Sequence, residues 1–319
     1  MPDLHWGLTV PFAGVPLADH RPFFEQAEAR GYDDLWSGEA TGHDGFTPLI
    51  LAAAWTERLR LATGVVNPYT RGLPVLAQTA AALQDASNGR FVLGLGSSSD
   101  VIVERWNGVP FEKPLSRVRE AVEALRPVLA GERGPGGFKL ETPPATPVPI
   151  HVAALRDRML RLGGQIGDGT MINFTPLGSL GHVVGQIHAG ETAGGREPGS
   201  TEVVCRFFCI PMEEEHGLPL ARHLFAAYGT VPVYEAFFRG IGWGEQIDPM
   251  VDAWRAGDRK LAVEKAPAEL LREIFIFGSW DAQKARLDEF AAGGVTTFAL
   301  TPLCAPNQLA GAIDGLARA

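Results

Sequence analysis

The sequence predicts a single (β/α)8 barrel, also called a TIM barrel, that covers residues 1–319 and carries an insertion between its seventh and eighth strands. Two observations lead to this fold class. Short apolar runs rich in β-branched residues alternate with longer helical patterns along most of the chain, as in repeated βα units of a parallel sheet. Eight such runs occur, and eight βα units close into one barrel of about this length.

The predicted elements follow in order along the chain. The strands cover residues 4–10, 33–36, 61–66, 91–95, 150–152, 170–172, 203–210 and 296–300. The helical segments between them include residues 21–30, 47–56, 75–86, 116–130, 156–167 and 282–292. Several helices stop at a glycine, as at Gly31, Gly131 and Gly293, because glycine readily adopts the left-handed backbone of a helix C-terminus.

Two stretches interrupt the alternation. Residues 131–149 are rich in glycine and proline and are expected to form a surface loop after the fourth helix. Residues 212–265 combine helical patterns with seven aromatic side chains, which must be buried against something. Because this insertion precedes the last barrel strand, it is expected over the C-terminal face, where barrel enzymes place their active sites. A substrate lid, extra core and a dimer surface all remain open for it.

The charge and cysteine content disfavour several functional classes. Lysine plus arginine number 28 and aspartate plus glutamate 37, and this net charge of −9 opposes a nucleic acid or an anionic membrane as the main partner. No apolar run approaches the roughly 20 residues that span a bilayer, and the chain start lacks a basic secretory region, so a cytoplasmic location is expected. Cys205, Cys209 and Cys304 have no Cys-x-x-Cys spacing and are expected to be small buried hydrophobic residues.

The predicted strand ends bring mainly small or uncharged polar residues to the active-site face. Such a surface suits a large planar cofactor better than a hydrolytic triad. Glu39 and His43 follow the second strand and are the candidate general acid or base. Burial and neighbouring charges can bring the pKa of a carboxyl group or an imidazole close to neutral pH. Alternatively, His43 and Asp44 form a capped, solvated turn before the next helix.

A glycine-rich stretch follows the fourth predicted strand. Gly94-x-Gly96-x-x-Ser99 is not a dinucleotide fingerprint, because the third position is serine and no carboxylate about 20 residues later completes a βαβαβ half. The two glycines are instead expected to let a flat ring system approach the backbone.

A candidate anion site follows the fifth predicted strand. Ala153 and Ala154 precede a helix, so free N–H groups and the helix dipole would attract a negative group there, with Arg156 and Arg158 nearby. The alternative is an ordinary loop with solvated arginines. Motifs for zinc, a nucleophilic serine or a phosphoryl-transfer loop are missing from the sequence, and no metal site is predicted.

Several stretches resemble a known family. Residues 60–71, Arg-Leu-Ala-Thr-Gly-Val-Val-Asn-Pro-Tyr-Thr-Arg, and residues 89–96, Gly-Arg-Phe-Val-Leu-Gly-Leu-Gly, are similar to the luciferase-like monooxygenase superfamily. More narrowly, they resemble its deazaflavin branch, whose members use coenzyme F420. Residues 35–39 with His43 and Asp44, and residues 152–155 leading to 167–169, also match, so the resemblance covers about half the chain.

The resemblance implies a barrel, usually a homodimer, with the isoalloxazine-like ring bound at the barrel mouth. A cis peptide bond would lie behind the ring, one asparagine and one serine would bond the ring or ribityl chain, and two alanines would hold the phosphate. The positions that match these roles are Gly64 and Val65, then Asn67, then Ser97 or Ser98, then Ala153 and Ala154. Glu39 falls where relatives place an acidic residue near the deazaflavin.

The resemblance therefore predicts an F420-dependent oxidoreductase that moves a hydride between C5 of the deazaflavin and a small organic substrate. Glu39 is the first candidate for the proton donor and His43 the second. A monooxygenase that uses reduced FMN to activate oxygen and a non-catalytic barrel remain as alternatives. The Asp-His pair of sugar-phosphate dehydrogenase relatives is replaced by Gly38-Glu39-Ala40, and no particular substrate is indicated.

Overall fold

The computed structural model describes residues 4–318 and contains the predicted barrel. The strands are β1 (His5–Val10), β2 (Asp34–Ser37), β3 (Arg60–Thr63), β4 (Phe91–Leu95), β5 (Ile150–Ala153), β6 (Gly169–Asn173), β7 (Glu202–Ile210), β8 (Phe275–Phe277) and β9 (Thr297–Pro302). Strands β1 to β7 pair in parallel in chain order, and β9 pairs with both β7 and β1. The pairing of Leu8 with Leu300 is one contact that closes the barrel.

Helices surround the sheet in the order that the alternating pattern predicts. They are α1 (Arg21–Ala29), α2 (Thr47–Trp55), α3 (Leu73–Ala86), α4 (Pro114–Leu129), α5 (Asp157–Ile166), α6 (Leu180–Ala193), α7 (Glu214–Gly229), α8 (Pro232–Gly240), α9 (Gly244–Arg255), α10 (Arg259–Lys265), α11 (Ala268–Ile274), α12 (Trp280–Ala292) and α13 (Leu309–Leu316). A short π-helical turn, Val101–Trp106, follows β4. Within residues 4–318, no helix is both long enough and apolar enough to cross a bilayer.

One strand was missing from the sequence prediction. The barrel's eighth strand is β9, and the insertion before it also contains β8, which pairs with the C-terminal end of β7 through Phe208 and Phe275. The helical part continues to Ile274, beyond the predicted end at residue 265. Strand β8 has only three residues and follows α11 directly. It is therefore too short to be recognised by its length, and no turn residues separate it from the helix in the sequence.

Two of the three predicted glycine C-caps are confirmed. Gly31 and Gly131 have φ angles of 78° and 84°, the left-handed conformation that ends a helix. Gly293 was the wrong choice, because it has φ of −79° and the next residue, Gly294, has φ of 107°. Consecutive glycines cannot be told apart by composition alone.

The insertion packs its aromatic side chains onto the barrel. Phe225, Phe237 and Phe238 are fully buried, as expected from their density in the sequence. Phe174, which follows β6, meets the rings of Tyr228 and Tyr234 at centroid distances of 5.2 and 5.8 Å. The insertion therefore lies against the C-terminal end of β6.

Inward-facing side chains fill the middle of the barrel. They form an apolar layer of Trp36, Ala62, Val92, Met171, Val204 and Ala299. Val65 and Ala153 pack on this layer and are only half-buried. A packed interior is normal for this fold, and it leaves the space above the layer, at the C-terminal mouth, for a ligand.

A buried polar layer closes the N-terminal end of the barrel. Arg60 forms ion pairs with Asp34, at 2.7 Å, and with Glu202. Burial by itself would raise the pKa of Glu202, but hydrogen bonds from Arg60 and the nearby positive charge lower it to about 2. His151, 3.5 Å from Glu202, is fully buried, and this burial lowers its pKa. The charged groups of this layer thus depend on one another.

Candidate active site

The loops after β2, β3 and β4 enclose a cavity of about 360 Å³ at the C-terminal face. Its lining residues are Glu39, Ala40, Gly42, His43, Asp44, Asn67, Thr70, Arg71, Ile102 and Asn107. The structure therefore brings together three predicted site residues: both candidate acids or bases and the asparagine of the third loop.

Glu39 is held by two neighbours. Its Oε1 accepts a hydrogen bond from the Gly45 N–H at 3.2 Å and another from Arg71. Arg71 also lies over the ring of Phe46, with 5.0 Å from Cζ to the ring centroid. In this arrangement the Glu39 carboxylate accepts hydrogen bonds, and its bond from Gly45 holds the loop after β2 closed. Proton donation by Glu39 therefore requires that the Arg71 contact opens.

His43 lies beside this pair and is exposed. The following residue, Asp44, accepts hydrogen bonds from the N–H groups of Phe46 and Thr47 and so precedes α2 as a capping turn. Burial would raise the pKa of Asp44, but the hydrogen bonds from Thr47 and Phe46 hold it below its usual value. The turn alternative is confirmed for Asp44, and His43 faces the cavity at its edge.

Asn67 stabilises its own loop. The side-chain Oδ1 accepts hydrogen bonds from the N–H groups of Tyr69 and Thr70 and from the Thr70 hydroxyl, at 3.0 to 3.1 Å. Among residues 4–318 the Nδ2 group donates to no protein acceptor, and Asn67 lines the cavity. Only the amide nitrogen is therefore free to bind a ligand.

The Gly64–Val65 peptide bond is cis, as the resemblance implies. The Gly64 N–H donates to the Ser37 carbonyl at 2.6 Å, and the Val65 carbonyl accepts from the Glu39 N–H at 3.2 Å. These bonds join the end of β3 to the loop that carries Glu39. The half-buried Val65 side chain thereby becomes part of the barrel mouth.

The expected role of Gly94 is wrong. A Cβ atom on Gly94 would lie 1.8 Å from the Thr63 carbonyl oxygen, so the glycine allows β3 and β4 to approach each other rather than admitting a ring. A Cβ atom on Gly96 would lie 2.6 Å from Val65 and 3.1 Å from Ala153. Gly96 therefore lets these two small side chains form one ledge at the mouth.

Ser97 and Ser98 continue from this ledge into the loop after β4. Both are half-buried, and Ser98 has a φ of 62°, which is uncommon for a residue other than glycine. The Ser97 hydroxyl makes only a long contact of 3.4 Å, with the Ser98 carbonyl. Neither serine lines the cavity around Glu39, and their role toward a cofactor stays a prediction.

The anion site at Ala153 and Ala154 is only partly as expected. The Ala154 N–H is not free, because it donates to the Met171 carbonyl at 2.8 Å. Helix α5 begins further on, at Asp157, whose carboxylate lies 3.0 Å from His182 and adds negative charge at the helix start. Any anion contact would therefore use the first turn of α5 and not the Ala154 amide, and a phosphate-binding role for the two alanines stays a prediction.

Sequence reasoning missed a polar group at the mouth, here called the mouth cluster: Asn173, Arg206, Tyr234 and Thr301. The first two are register partners on β6 and β7, and Asn173 Nδ2 donates to the Tyr234 hydroxyl at 2.9 Å. Arg206 Nε donates to the Thr301 hydroxyl at 3.2 Å. The available signal was an arginine at an inward position within the apolar part of β7, residues 203–210.

The chain is similar to known proteins in sequence and in fold. A family model described as luciferase-like monooxygenase matches residues 6–297. The 5,10-methylenetetrahydromethanopterin reductase of Methanolobus tindarius is 29% identical over 309 residues, which cover 92% of this chain and 93% of that protein. The coenzyme F420-dependent tetrahydromethanopterin reductase of Methanopyrus kandleri superposes with a TM-score of 0.81 at 21% identity, covering 99% of this chain and 98% of the other.

A flavin protein has the same fold. The FMN-bound oxygenating constituent of 3,6-diketocamphane monooxygenase from Pseudomonas putida superposes with a TM-score of 0.72 at 16% identity, covering 99% of this chain and 97% of the other. At such identities the solved structures show the fold alone. The family match, in contrast, spans most of the chain and confirms the resemblance found in the sequence. The chain is an enzyme of the luciferase-like monooxygenase family.

Proposed function

We propose that this enzyme is an F420-dependent oxidoreductase that transfers a hydride between C5 of the deazaflavin and a small organic substrate. The observation that carries the proposal is the uncharged ledge of Val65, Gly96 and Ala153 at the mouth of a filled barrel. A flat, neutral ring system matches such a surface better than a charged or flexible ligand. The name of the Methanopyrus kandleri relative, with its stated dependence on coenzyme F420, agrees with this choice.

The chemical types of the residues at the mouth match the parts of the cofactor that they would bind. The ledge would support the ring, and the free Nδ2 of Asn67 would donate to a ring carbonyl or ribityl oxygen. Ser97 or Ser98, in the loop after β4, would bond the ring or the ribityl chain. F420 supplies or accepts a hydride at its C5 carbon. The protein's part is to bind the ring, to exclude water from the face of the ring and to donate or accept one proton.

Glu39 and His43 remain the proposed proton carriers. Both line the cavity beside the ledge, and the Glu39 N–H is bonded to the Val65 carbonyl, which couples the two regions. Arg71 holds the carboxyl group in place between turnovers. His43, exposed at the cavity edge, would exchange the proton with solvent.

A monooxygenase that uses reduced FMN is the second candidate. The FMN-bound Pseudomonas putida structure favours it, because the same fold there holds a flavin. Titration of the purified chain with F420 and with FMN separates the two candidates. Saturable binding of F420, with hydride transfer under anaerobic conditions, is the expected result. Binding of FMN alone would overturn the deazaflavin proposal.

Asn67→Asp tests where the cofactor binds. Aspartate keeps the Oδ acceptor that holds the loop and replaces the free donor with a charged oxygen, so F420 affinity is expected to fall about 5- to 30-fold with the fold intact. Asn107→Asp is the control for charge, since Asn107 also lines the cavity; it additionally loses the bond from Asn107 Nδ2 to the Ile102 carbonyl. Equal losses in both variants would mean that charge, and not the Asn67 donor, weakens binding.

We also propose the three remaining features expected from the sequence. These are a homodimer, a cytoplasmic location and a single domain spanning residues 1–319. Light scattering of the purified protein measures the oligomer, and limited proteolysis tests whether the insertion is cut from the barrel as a separate unit.

A further inference from the structure

Arg206 places a positive charge at the barrel mouth without a negative partner. Within residues 4–318 its side chain forms no ion pair and one hydrogen bond, from Nε to the Thr301 hydroxyl. The side chain is half-buried, and the inward positions paired with it are Asn173 and Ala299, both uncharged. A half-buried cation that lacks a counter-ion is stabilised when an anion binds beside it.

The geometry of Arg206 limits which anion fits. Its guanidinium lies over the ring of Phe208, with 4.5 Å from Cζ to the ring centroid. One face of the guanidinium is therefore covered and Nε is occupied. The two terminal nitrogens, at the outer edge of the guanidinium plane, remain available to bind a ligand. Two parallel N–H donors in one plane match the two oxygens of a carboxylate.

Tyr234 adds a further donor to the same place. Its hydroxyl oxygen accepts from Asn173 Nδ2, and no acceptor for its own hydrogen occurs in residues 4–318. Burial raises the pKa of Tyr234 to about 12, so the hydroxyl keeps its proton at neutral pH. This side chain comes from the insertion, which thereby contributes a donor to the mouth and not only packing surface.

We propose that Arg206 and Tyr234 bind a carboxylate group of the substrate, so that the enzyme acts on an organic acid. The inference rests on the proposed function for the identity of the bound partner. It goes beyond that function because it assigns the class of substrate to residues outside the cavity around Glu39. Asn173 acts in this site as a positioning residue that orients the Tyr234 hydroxyl.

Calorimetric titration with a simple probe tests the proposal on the full chain. Benzoate is expected to bind the wild-type protein, and benzamide, which has the same shape but no charge, at least about tenfold more weakly. Arg206→Gln is expected to weaken benzoate binding about tenfold or more, and Tyr234→Phe about threefold. Equal binding of benzoate and benzamide by the wild type, or an unchanged benzoate affinity in Arg206→Gln, would overturn the proposal.

Arg259→Gln is the matched control. Arg259 also lies over an aromatic ring, that of Trp254 at 3.8 Å, but it is exposed and belongs to the insertion surface. The variant loses the same charge and the same stacking contact, and its benzoate affinity should equal that of the wild type. If Arg206→Gln fails to fold by near-ultraviolet circular dichroism, Tyr234→Phe and the wild-type comparison of the two probes decide the question.

A second titration separates this inference from the proposed function. Benzoate should bind the chain saturated with F420 as well as the free chain, because the carboxylate belongs to the substrate. Displacement of benzoate by F420 would assign Arg206 to the cofactor and reject the inference, while leaving the proposed function standing. Benzoate binding in a chain that fails to bind F420 would support the anion site and reject the deazaflavin function.

Discussion

Replacing Glu202 with glutamine tests the polar layer at the N-terminal end of the barrel. Glu202 accepts hydrogen bonds from Arg60 at 2.6 and 2.9 Å and also from the Thr297 hydroxyl. The substitution preserves the shape of the side chain and removes its charge. Arg60 then keeps Asp34 as its ion-pair partner but loses the second carboxylate, which accepts two charge-assisted hydrogen bonds from it.

The magnitude follows from proton linkage. The pKa of Glu202 falls from 4.5 to about 2 on folding, and each unit corresponds to about 1.4 kcal/mol, so the ionised group contributes about 3 kcal/mol at pH 7. Because the folded pKa is the lower one, this stabilisation is complete above pH 4.5 and is lost as the pH falls towards 2. At pH 3 about 1 kcal/mol remains.

Urea unfolding at pH 7 and at pH 3 measures this window. Glu202→Gln should be about 3 kcal/mol less stable than the wild type at pH 7 and only about 1 kcal/mol less stable at pH 3. Glu214→Gln is the control, because its ion pair with Arg272 is exposed and should contribute less than about 1 kcal/mol at either pH. A difference between Glu202→Gln and wild type that is the same at both pH values would refute the reasoning.

Three further predictions concern the core and the cavity. Gly94→Ala should cost about 3 kcal/mol or more in urea unfolding, because a Cβ atom there collides with a carbonyl oxygen of the neighbouring strand, whereas Gly72→Ala, whose Cβ atom would meet Pro74 at an ordinary contact distance of 3.9 Å, should cost far less. Burial raises the pKa of the Cys205 and Cys209 thiols, so a chromogenic thiol reagent should label them only after unfolding, and labelling of more than one thiol in the native chain, where Cys304 is only partly buried, would contradict their burial. Glu39→Gln should slow turnover about 100-fold with F420 affinity retained, and a change in melting temperature alone would make Glu39 structural.

Much of the architecture could be predicted from the chain because barrel strands are continuous apolar runs. Phe91–Leu95 was predicted with its observed bounds, and β7 with one residue's difference at its start. Local patterns failed where length was too short, as at β8, or where two candidates stood side by side, as at Gly293 and Gly294. The cysteines behave as expected, with Cys205 and Cys209 buried and Cys304 partly buried.

The site was predicted at the level of loops and not of individual contacts. Residues after parallel strands must meet at one face, so Glu39, His43 and Asn67 were expected near each other and do line one cavity. The hydrogen-bond partner of each group could not be read from the chain. The Ala154 N–H donates to the Met171 carbonyl, and this contact depends on the register between β5 and β6. The Oδ1 of Asn67 accepts from Tyr69 and Thr70 within its own turn, which leaves only its Nδ2 for a ligand.

The sequence by itself determined the order of βα units, the family and the loops that carry the cavity, since all three depend on local composition and on short motifs within one stretch of chain. Only the tertiary structure decided that Arg60, Asp34 and Glu202 share one buried layer, and that Asn173, the register partner of Arg206, bonds to Tyr234 at the mouth. Closure of the barrel brings together strands that lie far apart in the chain, and charges interact through space irrespective of their separation in sequence.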